Sequence, residues 1–268
     1  MGFYCCLILC FARIMNFKVE VHRVQCWIHQ IGDLCLRLLW HFVHLLVSLW
    51  YAGVGIVQGT ESYLISRGLW DCYKSLDVGK IQYLAIVIES EDACQYSKVF
   101  QLLLWLKAIG VKHLCIYDSE GVLKKSKKFI IQRLNNAVDI EEAVQKNLPS
   151  EDKQMTLEFV SASDGKEAVA KAANLLLTKY TNLVSSNAGH EEAITETHVN
   201  EALRDLGYIG PEPDLLLVYA PVRCYLGFPA WRIRYTEIVH MGPLKSMRYG
   251  SLIKAIHKFT TVRQNYGK

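Results

Sequence analysis

The chain has 268 residues, which suits one medium-sized domain with additional segments. Its net charge of +4 is too small, and its basic residues too scattered, to indicate a nucleic-acid-binding surface. Nine cysteines without a Cys-x-x-Cys pair exclude the closely spaced ligands of a common zinc site, and their odd number argues against a closed disulfide framework. Hydrophobic residues make up 51% of the chain and its mean hydropathy is +0.12, which predicts that part of it lies in lipid.

The strongest membrane signal lies near the N-terminus, over Leu38–Val57. This stretch has no charged residue and about the 20-residue length that a bilayer core requires. An earlier apolar run, Phe3–Ala12, is too short to span a bilayer. We predict an N-terminal segment over 1–37, a transmembrane or membrane-embedded helix over 38–57 and a linker over 58–80. A buried core helix is the alternative for the apolar stretch.

From Ile81 onward, short apolar runs alternate with helical patterns. Nearly continuous apolar runs are typical of strands buried on both faces of a parallel sheet. The predicted strands are Ile81–Ile88, Val111–Tyr117, Met155–Ser161 and Asp214–Ala220. The predicted helices are Ser97–Ile109, a helix after a capping-box-like start at Asp164 and Glu167, His198–Leu206 and Met247–Thr260. This alternation predicts an α/β domain over 81–268, with a mostly parallel sheet flanked by helices.

The motifs of several common chemistries are missing from the sequence. It has no glycine-rich phosphate loop and no G-x-S-x-G nucleophile elbow. His240 lies near Glu237, but a lone histidine beside a strand end is more often structural than catalytic. Four lysines between Lys124 and Lys128 form a basic run. This run is typical of a solvated helix start, with attraction to anionic lipid or diphosphate as the alternative.

Two stretches and the C-terminus are distinctive enough to indicate a protein family. Ala108–Lys125 reads AIGVKHLCIYDSEGVLKK, and Pro213–Glu237 reads PDLLLVYAPVRCYLGFPAWRIRYTE. Together with Asn265–Lys268 they resemble the cis-prenyltransferase superfamily. Within it they most resemble the Nogo-B receptor-like accessory subunits of dehydrodolichyl diphosphate synthase, in a plant-like variant. The resemblance covers roughly Ile81 to Lys268 and implies a fold similar to undecaprenyl diphosphate synthase.

The same resemblance implies that the active-site positions are vestigial. Catalytic family members carry an Asp-Gly-Asn-Arg run after the first strand, where this chain has Glu89-Ser90-Glu91-Asp92. Two diphosphates carry dense negative charge, which cations must neutralise and an acidic cluster repels. The family also places arginines and a serine at positions that are Val218, Cys224 and Leu226 here, while Glu237 matches its metal-binding glutamate. We therefore interpret Glu89 and these four positions as vestigial, and we assign this chain no catalytic residue and no metal ligand.

The function implied is that of a required but non-catalytic subunit of a heteromeric cis-prenyltransferase. Such an enzyme makes long-chain polyprenyl diphosphate from farnesyl and isopentenyl diphosphates, for dolichol synthesis and protein glycosylation. The catalytic partner is expected to hold Mg²⁺. This chain is expected in the endoplasmic reticulum membrane, with its domain facing the cytosol. A membrane-tethered receptor or scaffold that binds protein or lipid is the alternative, and the missing Asp-Gly-Asn-Arg run argues against a self-sufficient synthase.

The C-terminal tail carries the most specific expectation. The family ends in Arg-x-Gly, and this tail crosses into the partner's active site, where backbone N–H groups bind the substrate diphosphate. Asn265, Tyr266 and Gly267 hold that place here. Glycine suits the role because it allows the backbone to approach a ligand closely. Asn265 brings hydrogen-bond donors but not the charge of the family's arginine.

Overall fold

The structure is a computed structural model that describes residues 2–73, 76–134, 137–139, 155–185, 194–208 and 210–262. It divides into two compact units, Met1–Thr60 and Glu61–Lys268. The first is part of a single long helix, and the second is an α/β domain.

Helix α1 runs over Gly2–Ser66. Within it, His29–Ser66 is long and apolar enough to cross a membrane, by length and composition, and none of its most apolar window is buried. Trp50, for example, is 72% exposed. Exposing so much apolar surface to water is unfavourable, so this helix requires lipid or another apolar cover. The predicted apolar helix is therefore present, and it extends well beyond 38–57 in both directions.

The second unit is built on a parallel sheet that has six strands within the described residues. The strands are β1 (Leu84–Ile88), β2 (His113–Asp118), β3 (Ala137–Asp139), β4 (Met155–Val160), β5 (Leu215–Tyr219) and β6 (Glu237–His240). Their spatial order is β3-β4-β2-β1-β5-β6, and every neighbouring pair is parallel. The predicted α/β class with a mostly parallel sheet is confirmed.

Helices cover the sheet and its edges. They are α2 (Ser90–Ala93), α3 (Tyr96–Ile109), α4 (Val122–Lys125), α5 (Lys127–Arg133), α6 (Lys166–Ser185), α7 (Glu196–Asp205) and α8 (Tyr249–Thr261). Side chains alternate across a strand, so Ile86 of β1 enters a core shared with α3, α5 and α8, while Val87 enters the core on the opposite face. That opposite core is completed by Phe228 from the segment after β5.

Several predicted boundaries are corrected by the structure. β3 and β6 had no counterpart in the sequence analysis. The capping box lies one turn earlier than predicted, with Ser161 as the cap and Asp164 as its reciprocal partner, and α6 starts after it at Lys166. α6 continues through the polar residues after Tyr180 as far as Ser185. The remaining predicted strands and helices are confirmed, with small shifts at their ends.

Candidate functional site

The carboxyl ends of β1 and β5 meet at one edge of the sheet, which we call the carboxyl edge. The Glu89 N–H donates to the Tyr219 carbonyl at 3.2 Å, which places Glu89 directly beside the end of β5. α2 starts at the next residue, Ser90. Ligands of open α/β sheets bind outside the carboxyl ends of the strands, so this edge is the candidate site.

A hydroxyl pair joins β1 to β2 at the carboxyl edge. The Ser90 and Ser119 Oγ atoms lie 2.7 Å apart, and the Glu120 N–H donates to Ser90 Oγ at 3.3 Å. Glu89 is half-buried and Glu91 is exposed. The edge therefore offers hydroxyls and carboxylates to a ligand, and these groups do not neutralise a diphosphate.

Asp92 is the last residue of the acidic run Glu89–Asp92, and its side chain has a structural role. Its carboxylate is buried and accepts from Gln95 Nε2 at 2.9 Å and from the Leu244 N–H at 3.0 Å. The second bond fastens the turn after β6 to α2. This carboxylate is committed within the fold and is not directed at a ligand.

Val218 lies inside the core. It is fully buried in β5, pairs with Val87 of β1 and packs with Tyr117. Nothing charged or polar is presented to solvent at this position, where the family has an arginine. The structure thus places Val218, which we interpreted as a vestigial site position, within the packing of the sheet.

Cys224 and Leu226 line a cleft of ≈ 740 Å³ formed by residues 224–231 and the start of α6. Leu226 has a φ of 49°, in the left-handed region that a leucine rarely adopts, and its carbonyl accepts from the Tyr117 hydroxyl at 2.9 Å. Burial raises the pKa of Tyr117 to about 12, with further contributions from Asp118 and Asp164, so its hydroxyl stays a neutral donor.

The walls of this cleft are mostly apolar. Its lining residues are Gly165, Lys166, Val169, Cys224, Tyr225, Leu226, Gly227, Phe228, Pro229, Ala230 and Trp231. Lys166 is exposed and is the basic residue in this lining. The cleft suits hydrocarbon better than a diphosphate, because strong anion binding needs several convergent donors or cations.

Glu237 lies at the opposite end of the sheet. It is the first residue of β6 and pairs with Leu215, the first residue of β5. With about 3.3 Å per residue, the length of a strand separates it from the carboxyl edge by more than 10 Å. Within this chain, Glu237 is not brought together with Glu89, Cys224 or Leu226.

A buried ion pair near this opposite end is a feature that the sequence analysis missed. Arg232 is 7% exposed and binds Glu158 bidentately, with Nη2–Oε2 at 2.7 Å and Nη1–Oε1 at 3.0 Å. Arg232 also donates to the Pro211 carbonyl at 2.8 Å, and the Tyr83 hydroxyl donates to Glu158. Burial raises the pKa of Tyr83, which keeps it a neutral donor. The signal in the sequence that could have indicated this ion pair is Glu158, a charged residue within the predicted strand MTLEFV.

Two site expectations remain: the C-terminal tail and a metal site. Asn265, Tyr266 and Gly267 lie outside the described residues. Among the residues that the structure describes, no three His, Cys, Asp or Glu side chains converge to hold a metal ion.

Comparison with known proteins identifies relatives over most of the chain. No family model matches. The chain is 24% identical over 209 residues to human dehydrodolichyl diphosphate synthase complex subunit NUS1, covering 73% of this chain and 69% of the relative. The Schizosaccharomyces pombe subunit is 24% identical over 211 residues, covering 70% and 77%, and the Saccharomyces cerevisiae subunit is 23% identical over 201 residues, covering 63% and 52%.

Solved structures give a more distant likeness. Lavandulyl diphosphate synthase from Lavandula x intermedia matches 70% of this chain and 98% of its own, with a TM-score of 0.47 and 16% identity. A probable undecaprenyl diphosphate synthase from Campylobacter jejuni matches 70% and 99%, with a TM-score of 0.46 and 16% identity. The sequence relatives confirm the resemblance that the motifs predicted: over most of its length the chain is similar to NUS1 subunits of the dehydrodolichyl diphosphate synthase complex.

Proposed function

We propose that the chain is a non-catalytic but required subunit of a heteromeric cis-prenyltransferase. This enzyme would make long-chain polyprenyl diphosphate from farnesyl and isopentenyl diphosphates, as a precursor of dolichol for protein glycosylation. The observation that carries the proposal is the likeness to NUS1 subunits of human and two yeasts, which extends over most of this chain.

Catalytic silence of the isolated chain is supported by the carboxyl edge. A diphosphate there would meet Glu89 and Glu91, and Val218 is sealed in the core. A hydrogen bond between charged partners contributes about 1.5–3 kcal/mol, so losing several removes most of the binding free energy that two diphosphates require. Carboxylates nearby make the remaining interaction repulsive.

The catalytic partner would supply the missing chemistry. In this proposal the partner provides the acidic residue, the arginines and Mg²⁺, and the metal neutralises the diphosphate leaving group. This chain contributes its tail, and the backbone N–H groups around Gly267 bind the diphosphate of isopentenyl diphosphate in trans. The reaction joins the isopentenyl double bond to the allylic carbon of the second substrate, releases diphosphate and loses one proton.

Membrane attachment would follow from α1. We place its charge-free stretch, 38–60, in the endoplasmic reticulum membrane, with the α/β domain on the cytosolic side. The hydrocarbon product is insoluble in water, so an enzyme complex held at a bilayer can release it directly into lipid.

The test compares three membrane preparations that contain this chain alone, a catalytic cis-prenyltransferase subunit alone, or both. Each is supplied with labelled isopentenyl diphosphate, farnesyl diphosphate and Mg²⁺, and long-chain product is measured. We expect activity from the two chains together that is well above the sum of the separate ones. Glu89→Gln is the matched control and should change activity of the complex less than about twofold, because a vestigial carboxylate has no part in transition-state stabilisation. Robust product formation by this chain alone would refute the proposal.

A further inference from the structure

The segment after β2 is rich in basic residues. Between Val122 and Arg133 the sequence has four lysines and one arginine, and no acidic residue. Lys124 is committed to an ion pair with Asp164, with Nζ–Oδ2 at 2.6 Å. Lys125 and Lys128 are exposed to solvent. The proposed prenyl-transfer role uses none of this charge.

α5 has two distinct faces. Ile130 is fully buried and enters the core beneath the helix. On the outer side, Lys128, Phe129 and Arg133 are exposed. Together with Lys125 at the end of α4, these three residues form what we call the α5 basic face.

Phe129 makes this face unusual for a solvated helix. Half of its surface is exposed (50%), although Phe100 and Tyr96 stand edge-on to it at centroid distances of 5.7 and 6.3 Å. An exposed aromatic ring between basic side chains is typical of surfaces that bind at the membrane interface, where the ring enters the headgroup region and the charges meet anionic lipids.

The position of the α5 basic face in the fold also suits a membrane. α5 packs on α3, and α3 packs on α8 through Trp105 and Tyr249, whose rings lie 5.5 Å apart. The start of α8 holds the last turn of α1, because the Gly250 N–H donates to Ser62 Oγ at 3.0 Å. Through α3 and α8 the α5 basic face is therefore connected to residues 61–66 of α1, which directly follow the stretch that we place in the membrane.

We propose that the α5 basic face binds the anionic surface of the membrane in which α1 is embedded. The partner is a bilayer with acidic phospholipid headgroups, because its surface offers both negative charge to Lys125 and Lys128 and an apolar layer to Phe129. The proposal rests on the membrane attachment proposed above but not on prenyl transfer, so the two can fail separately.

The test measures the acylation rates of individual lysines in the full chain, reconstituted into vesicles and analysed by mass spectrometry after digestion. One set of vesicles is phosphatidylcholine, and the other contains roughly one-third phosphatidylserine. An anionic surface raises the local proton concentration about threefold, which lowers the reactive, unprotonated fraction of a nearby amine by the same factor. We therefore expect acylation of Lys125 and Lys128 to slow at least about threefold in anionic vesicles. Lys171 of α6, which is also exposed, is the internal control and should react equally in both.

High salt and a competing soluble ligand provide two further tests of this binding. At about 1 M salt the Debye length falls to about 3 Å, so the protection should disappear. Equal rates in the two kinds of vesicle would overturn the proposal. Protection in phosphatidylcholine that appears only on adding inorganic pyrophosphate would also overturn it, and would assign the face to a soluble diphosphate. A Phe129→Ala variant that retains the fold should lose part of the protection in anionic vesicles, and full protection without the ring would contradict the part assigned to Phe129.

Discussion

Gly250 is the point at which the last turn of α1 comes closest to α8. A Cβ atom built on Gly250 would collide with Ser62 Cα and would lie 2.7 Å from the Ser62 carbonyl oxygen, closer than non-bonded atoms approach. Both atoms belong to the backbone, so no side-chain rotation relieves the contact. We predict that Gly250→Ala separates the last turn of α1 from α8 while the sheet and its core remain folded.

The size of the effect follows from three contributions. Overpacking against rigid backbone costs about 1–3 kcal/mol. The displaced Gly250 N–H loses its bond to Ser62 Oγ, which costs about 1 kcal/mol. Alanine has a higher helix propensity than glycine, which returns at most about 1 kcal/mol, and less at the second residue of a helix. The net loss is therefore about 1–3 kcal/mol, which is enough to populate the detached state of one helical turn.

The assay is hydrogen exchange of the full chain in detergent, followed by peptide mass spectrometry. Amides of 61–66 should exchange about 5- to 100-fold faster in Gly250→Ala, as the net loss converts at 1.4 kcal/mol per factor of ten, while those of β1 and β5 stay unchanged. Gly32→Ala is the matched control, because a Cβ at Gly32 meets nothing within 4 Å. Unchanged exchange of 61–66 in Gly250→Ala would refute the inferred close contact.

Two further predictions concern the buried ion pair and the tail. Arg232→Met leaves the Glu158 carboxylate buried without its partner and should lower the free energy of unfolding by about 3–5 kcal/mol in denaturant titrations. The double variant with Glu158→Gln should lose less than the sum of the two single variants, and additive losses would contradict a direct pair. In the assembled complex, Gly267→Ala or deletion of the last four residues should severely lower turnover with isopentenyl diphosphate, without changing subunit association. Asn265→Ala should do milder harm and Asn265→Arg should be tolerated, whereas normal kinetics without the tail would exclude its role in trans.

The strands β1, β2 and β5 could be predicted because both of their faces are buried, which produces apolar runs that are visible locally. β4 could be predicted because buried apolar residues alternate with half-buried polar ones at its start. β6 could not, since its four residues, EIVH, are half exposed at the edge of the sheet and become a strand by pairing with β5. The length of α1 beyond its apolar stretch was missed for a related reason. The residues on either side of the apolar centre continue its helix, and the N-terminal side includes the apolar run Phe3–Ala12, which is too short to indicate a spanning helix by itself.

Contacts between residues that are distant in sequence also could not be predicted. Glu158 and Arg232 are 74 residues apart, and Ser62 and Gly250 are 188 apart, so only the fold brings each pair together. The vestigial positions, by contrast, were identified by their place in family motifs. Their present surroundings could not be read from the motif, because burial of Val218 and the bond to the Leu226 carbonyl depend on how the segments pack.

Those surroundings predict that introducing the family's motif residues at these positions would destabilise the domain. An arginine at position 218 would enter an apolar cluster, where an unpaired charge costs several kcal/mol. The Leu226 carbonyl is bound by Tyr117, and Asp92 is bound by the turn after β6. Val218 and Leu226 thus have structural roles in this fold, so a polar or charged replacement at either position should lower the stability of the domain.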